Sequence, residues 1–452
     1  MSLDSLPDAG RTPAARPSVQ EFIDSAPVGA RQRLVALIGL VVMVAEGLDI
    51  TIASFVYPHV MDDWGTPIGV VTTIVTTGVL SMAIGGVVAG PLADRYGRKG
   101  VTTAGILVFG AATAAMALAT GIGLFALLRV VACLGLGAVA PGVMAIVADA
   151  TPARCRASVV ALAFSGIAAG TVAGGFLASA VIPGHGWQVL LALCGLVPLL
   201  LVPLVVTCVP ESVSVLVARG RPVEDIHTSL ALLVPGRDVS HVDLTRVRLE
   251  EREPEQLRAI VLSRSYARIT LLIWVCYFAL LGVVYLLLNY LPLMTARAGL
   301  TAARTGAVVA LFGVGTLCGQ LLVSFGLRRC DRFRLLALAA ALSAVAVCAA
   351  AAAGTGHARM YALVLALGVF LGGSMGSLQA IGALAYPAAL RATGMGWMTG
   401  VGRVGTLASG LLGGMMIGAG WGISGILYAL SAPLALTAVA ALLLRDGEGR
   451  RS

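Results

Sequence analysis

The amino-acid sequence predicts an all-α membrane protein in which twelve transmembrane helices form two pseudo-repeated six-helix bundles. Three observations lead to this fold class. Of the 452 residues, 58% are apolar and 12% charged, whereas a soluble protein has about 45–50% and 25%. The apolar residues fall into twelve runs near the length of a membrane span. Short motifs of the first half also recur in the second.

The apolar runs are each near the roughly 20 residues that a helix needs to cross about 30 Å of hydrocarbon. They are too long and too uniformly apolar for barrel strands, whose residues alternate between apolar and polar. Helices are therefore expected at residues 34–57, 68–88, 101–120, 122–147, 157–181, 187–208, 269–293, 306–326, 335–353, 360–383, 393–417 and 421–444.

Two pairs of motifs relate the halves of the chain. Residues 152–157, after the fourth run, read PARCRA, and residues 387–392, after the tenth run, read PAALRA. In the same way DRYGR at 94–98 follows the second run and DRFR at 331–334 follows the eighth. Two related six-helix units with a binding site between them, near the bilayer midplane, are typical of secondary transporters.

The polar segments divide the chain into a tail (1–33), a first bundle (34–208), a linker (209–267), a second bundle (268–444) and a tail (445–452). Residues 1–33 lack the apolar core of a cleaved signal peptide. Of the 31 Lys and Arg residues, 26 lie on the side of the tails and the linker, three on the opposite side and two within spans. This asymmetry predicts a multi-pass protein of the inner membrane with both termini cytoplasmic.

The sequence shows no pattern for a cofactor, a metal or an enzyme. The eight cysteines are scattered singly, without metal-ligand spacing. No basic helix accompanies the net charge of +9, so no nucleic-acid partner is expected. Walker loops and nucleophile elbows are absent, which argues against ATP-driven transport and hydrolysis. A sensor with a transporter fold would be expected to carry a signalling domain, and eight residues follow Leu444.

Glu46 and Asp49 are the acids that lie deep in a predicted span. An ionised side chain at the bilayer centre costs about 2.5–3.5 kcal/mol, so such residues are functional candidates. Their spacing places them one turn apart on one helix face. Two carboxylates in one low-dielectric site resist double ionisation, which suits proton coupling. The alternative is a static pair neutralised by an arginine.

Arg129 is predicted to lie at the depth of the first-span acids. It follows the start of the fourth run by about seven residues, or roughly 10 Å from the outer surface. Asp49 is about 8 Å from that surface by the same arithmetic. A charge pair or shared network between Arg129 and the span-one acids is expected, and Arg129 is a candidate for substrate binding. The alternative is a purely structural pair.

Arg403 is predicted near the midplane of the eleventh run, where no acid of the second half lies at its depth. A carboxylate of the substrate can be its partner, because the planar guanidinium donates two parallel hydrogen bonds to a carboxylate. The alternative is that Arg403 reaches across to Glu46 or Asp49 and closes the cavity.

Aromatic residues cluster on the seventh run, where Trp274, Tyr277 and Tyr285 are candidates for contact with a flat substrate. Residues 274, 278, 281 and 285 trace one helical stripe. Helix packing or a position at the membrane interface is the alternative use of such rings.

Several motifs together resemble the major facilitator superfamily. GPLADRYGRK at 90–99 is similar to its signature loop, between the second and third spans. VQEFID at 19–24, PES at 210–212, Arg129 and the segment 386–405 resemble one branch, the aromatic acid:proton symporters. The first-span motif of that branch, Asp-Gly-x-Asp, is EGLD here, and its fourth-span Pro-Asn is Pro-Gly.

The resemblance implies the major facilitator fold and a latch in the signature loop. The latch residues would be Asp94, Arg95 and Arg98, with Asp149, Asp331 and Arg391. It further implies a monomer in the lipid bilayer that imports a small carboxylate with protons by alternating access, most simply an aromatic acid such as benzoate. A symporter of another organic anion or metabolite, or a proton-driven exporter, is the alternative.

Overall fold

A computed structural model describes residues 19–234, 239, 267–326, 330–353, 357–385 and 388–448. A short helix, Val19–Asp24, precedes the first span, and two more, Val213–Ala218 and Val223–Leu233, lie in the linker. The long helices of the first half are Ala30–Trp64, Ile68–Tyr96, Arg98–Met116, Ile122–Ala150, Ala153–Phe164 and Gly166–Cys208. Those of the second half are Ala267–Arg297, Ala302–Gly326, Arg332–Ala353, His357–Leu384, Ala388–Gly418 and Ile423–Glu448.

These helices form the twelve predicted spans, numbered here in chain order. Span five comprises Ala153–Phe164 and the part of Gly166–Cys208 before Gly186, and span six is the part after Gly186. Ten described segments are long and apolar enough to cross a membrane. One of them, Ala153–Cys208, has 56 residues and contains spans five and six, which meet at Gly186, where the backbone leaves the helical conformation with φ 80°. The ten segments thus contain eleven spans, and the helix Ala388–Gly418, which is span eleven, brings the number to twelve. The prediction of twelve helices is confirmed.

The packing partners repeat from one bundle to the other. In the first bundle, span one packs on span five, span two on span four, and span three on span six. In the second, span seven packs on span eleven, span eight on span ten, and span nine on span twelve. Each pair of the second bundle is the first-bundle pair shifted by six spans, as the repeated motifs predict.

The two ends of the structure differ. The linker end carries the short helices and the turns near residues 97 and 152, and the far end carries the turns near residues 65, 186 and 420. At the far end the bundles touch: a Cβ on Gly175 of span five would lie 2.8 Å from the backbone of Gly306 in span eight. Span eleven meets span two there as well, because a Cβ on Gly414 would overlap Thr72.

At the linker end the same helices stand apart. No described atom lies within 4 Å of the position of a Cβ on Gly90 in span two or on Gly400 in span eleven. Val87 of span two is 76% exposed. The bundles are therefore in contact at the far end, and spans two and eleven are not in contact at these positions near the linker end.

Candidate functional site

Span one holds two carboxylates inside the protein. Glu46 and Asp49 retain 1% and 2% of their accessible surface. Gly47, between them, lets span five approach closely, since a Cβ there would overlap the backbone of Ile167. Span one is therefore packed closely against span five at the residue between the two acids.

Asp49 is held by two neighbouring helices. Arg129 of span four donates a hydrogen bond to its Oδ2 at 2.7 Å, and Thr113 of span three donates to its Oδ1 at 2.6 Å. The side chains of the ion pair are 7% and 1% exposed. Tyr57 lies beside Arg129. Both carboxylate oxygens of Asp49 thus have a donor, and the depth argument from the sequence agrees with this contact.

Glu46 has a different environment. Its Oε2 atom is buried and has no hydrogen-bond partner among the described residues. Arg403, from span eleven of the other bundle, is the cation that acts on it electrostatically among the described residues. An anion buried without a partner is costly, so Glu46 needs either a proton or the charge of Arg403.

Arg403 is half-buried and reaches across the boundary between the bundles. One of its guanidinium nitrogens lies 4.0 Å from the position of a Cβ on Gly86, in span two. It also acts electrostatically on Tyr277 and Tyr285. Arg403 forms no ion pair with any residue that the structure describes, so its charge is available to a ligand.

A cavity of about 760 Å³ lies between the bundles, next to these groups. Residues of spans one, five, seven, eight and ten line it, and those described carry no charge. Tyr277 hydrogen-bonds Gln379 across spans seven and ten. The polar members of the lining are Thr171, Tyr277, Tyr285, Thr316, Gln320 and Gln379.

The aromatic residues of span seven separate into two groups. Tyr277 and Tyr285 line the central cavity. Trp274 is not among the described residues of that lining and packs against Trp397, with ring centroids 5.7 Å apart. The cavity face of span seven runs through residues 277, 281, 284, 285 and 288. Of the predicted stripe, Leu281 and Tyr285 therefore line the cavity, whereas Trp274 and Phe278 are not among its described lining.

The signature loop forms a polar network at the linker end. Arg98 forms an ion pair with Asp149, which also accepts a hydrogen bond from Ser212. Glu211 accepts from the backbone N–H of Lys99 at 3.1 Å. Gly97 has a φ of 101°, which favours glycine, and a Cβ there would contact the Glu211 carboxylate.

The other predicted latch residues do not join this network in the described part of the chain. Arg95 stacks over the ring of Tyr96, 5.3 Å from its centroid. Asp331 is exposed and accepts a hydrogen bond from the backbone N–H of Arg334 at 2.8 Å. The side chains of Asp94 and Arg391 lie outside the described residues.

Several residues of the site were not singled out from the sequence. Thr113, Gln320 and Gln379 are neutral and gave no signal of their own. Glu211 and Ser212 belong to a motif that supported the resemblance but received no role. No group of three or more His, Cys, Asp or Glu in the described ranges could hold a metal ion.

We expect Arg129→Met to destabilise the protein by about 3–5 kcal/mol, because it leaves the buried Asp49 carboxylate without its cation. The double variant Arg129→Met/Asp49→Asn should recover most of that loss, since no unpaired charge remains. Thermal unfolding in detergent measures both. Equal losses in the single and double variants would show that the unpaired Asp49 carboxylate is not the cause of the destabilisation.

Comparisons with known proteins agree with this geometry. The Major Facilitator Superfamily profile matches residues 39–403 and 273–452. The 4-hydroxybenzoate transporter PcaK of Pseudomonas aeruginosa is 33% identical over 98% of both chains. The gallate transporter of Pseudomonas putida is 32% identical over 96% of this chain and 95% of its own.

Among solved structures, the fold is similar to the xylose transporter XylE from E. coli in a partially occluded inward open conformation. The TM-score is 0.73 with 16% identity, over 92% of this chain and 98% of XylE. The protein is thus a multi-pass membrane transporter and not an enzyme. The chain belongs to the major facilitator superfamily and, within it, to the aromatic acid transporters.

Proposed function

We propose that this protein imports a small aromatic carboxylate together with protons. The proposal rests on two residues that act on each other electrostatically. Glu46 is a buried acid whose Oε2 has no hydrogen-bond partner in the described residues, and Arg403 is a cation without an ion pair there. Neither is among the described lining of the uncharged central cavity, but both act electrostatically on Tyr285, one of the two tyrosines that line it. The relatives named for 4-hydroxybenzoate, gallate and benzoate support an aromatic acid as the ligand.

This pair couples a proton to an anion by competition. When Glu46 is ionised, its charge attracts Arg403 and opposes the entry of a carboxylate. When Glu46 is protonated, Arg403 is free to bind the carboxylate of a ligand with two hydrogen bonds. Anion and proton therefore occupy the site together, and rocking of the bundles carries both across the membrane.

Asp49 and Arg129 complete the coupling site. Their ion pair keeps one negative charge fixed a single turn from Glu46. Two neighbouring carboxylates resist double ionisation, so the fixed charge on Asp49 favours protonation of Glu46. We assign Asp49 and Arg129 to this electrostatic role, and Tyr277 and Tyr285 to contact with the aromatic ring.

The linker end is proposed to face the cytoplasm, with both termini, because most of the Lys and Arg residues lie there. In this orientation the contacts between the bundles at Gly175 and Gly414 lie on the outer side. The ion pair of Arg98 with Asp149 would serve as part of the latch at the cytoplasmic side, together with Asp94, Arg95, Asp331 and Arg391. A single chain encloses the cavity, which is consistent with function as a monomer.

Uptake by reconstituted protein tests the function. Radiolabelled 4-hydroxybenzoate and benzoate should accumulate against their gradients when the outside is acidic, and a protonophore should abolish accumulation. An aliphatic acid of similar size should accumulate much less. Accumulation that is insensitive to the protonophore would contradict proton coupling.

Glu46→Gln should abolish accumulation against a gradient and leave exchange of the acid across the membrane intact, because the amide mimics the protonated acid permanently. The matched control is Asp62→Asn, at the exposed end of the same helix, which should accumulate like the native protein. Full uphill uptake by Glu46→Gln would exclude Glu46 as the proton carrier.

The two substitutions Arg403→Lys and Arg403→Ala separate charge from geometry, because lysine keeps the charge and loses the planar pair of donors. Both should weaken binding of the acid, and alanine more, by about ten- to a hundredfold for one charged hydrogen bond. The neutral amide of the same ligand should bind the native and alanine forms almost equally. If acid and amide lose affinity to the same extent, Arg403 holds the helices and not the ligand.

A further inference from the structure

A second, smaller chamber adjoins the central cavity. It has a volume of about 360 Å³ and lies between spans one, two and four of the first bundle and span seven of the second. Its lining includes Arg129, the cation of the buried ion pair, together with Tyr57, Asn289 and Cys133. We call it the ion-pair chamber.

Among the described residues, Ile50 and Tyr285 are the ones that line both the ion-pair chamber and the central cavity. They come from opposite bundles. Ile50 is 6% exposed and packs with Met82 and Cys133 on the chamber side. Tyr285 is followed one turn later by Asn289, whose amide donates to the Tyr285 carbonyl at 2.8 Å.

The groups on the two sides of this wall differ in chemistry. On one side, the Asp49–Arg129 pair is almost completely removed from solvent, and its strength depends on that dryness. On the other side, the central cavity must admit a ligand and water. Arg403 and Glu46 both act electrostatically on Tyr285, which places the wall next to the coupling residues.

We propose that Tyr285, together with Ile50, is a partition that closes the ion-pair chamber off from the central cavity and so keeps proton exchange tied to ligand binding. The closing of the chamber is argued from the two residues that line both spaces. The link between this closing and proton exchange rests on the proposed function. An opening in the wall would let water from the central cavity reach the Asp49–Arg129 pair, and would so give protons a second route whether or not a ligand is bound. Tyr285 thus has this role in addition to its proposed contact with the aromatic ring of the ligand.

Cys133 is a native reporter of the partition, because it lines the chamber and is 5% exposed. Tyr285→Ala should let a small, water-soluble maleimide label Cys133, as measured by peptide mass spectrometry, which distinguishes it from the other seven cysteines. Tyr285→Phe keeps the ring and should leave Cys133 protected, as in the native protein. Leu288→Ala, a truncation that faces only the central cavity, is the matched control and should also leave Cys133 protected.

Proton flux in liposomes tests whether the partition ties proton exchange to ligand binding. With a pH gradient and no ligand, Tyr285→Ala should show proton flux several times above the native protein, and Leu288→Ala and Tyr285→Phe should not. Ile50→Ala removes part of the same wall and should show the same two effects if Tyr285→Ala fails to fold. Native protein with 4-hydroxybenzoate is the positive control for coupling.

These readouts separate the possible failures. Continued protection of Cys133 in both alanine variants would overturn the partition. Labelling of Cys133 without ligand-independent proton flux would overturn its role in coupling. Absence of ligand-driven proton flux in the native protein would instead overturn the proposed function and leave the labelling result as the test of the partition.

Discussion

Two carboxylates one turn apart on a buried helix form the constraint on which the structure depends. Neither Glu46 nor Asp49 retains more than 2% of its surface, and a low-dielectric interior does not support two unpaired negative charges. The protein neutralises them by different means. Asp49 accepts hydrogen bonds from Arg129 and Thr113 of its own bundle. Glu46 instead interacts electrostatically with Arg403 of the other bundle.

The different partners of Asp49 and Glu46 connect the chemistry of the two acids to the proposed rocking of the bundles. In the proposed mechanism the two bundles rock as rigid bodies, so the Asp49–Arg129 pair, which lies within the first bundle, is retained. The relation between Glu46 and Arg403 crosses the boundary that moves, and it therefore depends on conformation, on protonation and on the ligand. Glycines support the motion at the far end, where the backbones of Gly175 and Gly306 come into contact without side chains between them.

Much of this could be predicted from the sequence. Run lengths predicted the twelve spans, and the repeated motifs predicted the matched packing of the bundles. The contact of Asp49 with Arg129 followed from depth alone, because a helix rises by about 1.5 Å per residue. What depth does not give is rotation about the helix axis, which decides that Tyr277 and not Trp274 lines the cavity. Neutral residues such as Thr113 and Gln379 gave no signal, because a span tolerates them through hydrogen bonds to its own backbone.

The central claim is that the proton on Glu46 and the carboxylate on Arg403 occupy the site together. Calorimetric titration of 4-hydroxybenzoate, over a pH range in which its carboxyl group stays ionised, tests this claim most directly. The account predicts that affinity for the native protein falls as the pH rises and Glu46 loses its proton, and that affinity for Glu46→Gln stays high and constant. The same decline with pH in both proteins would contradict the account.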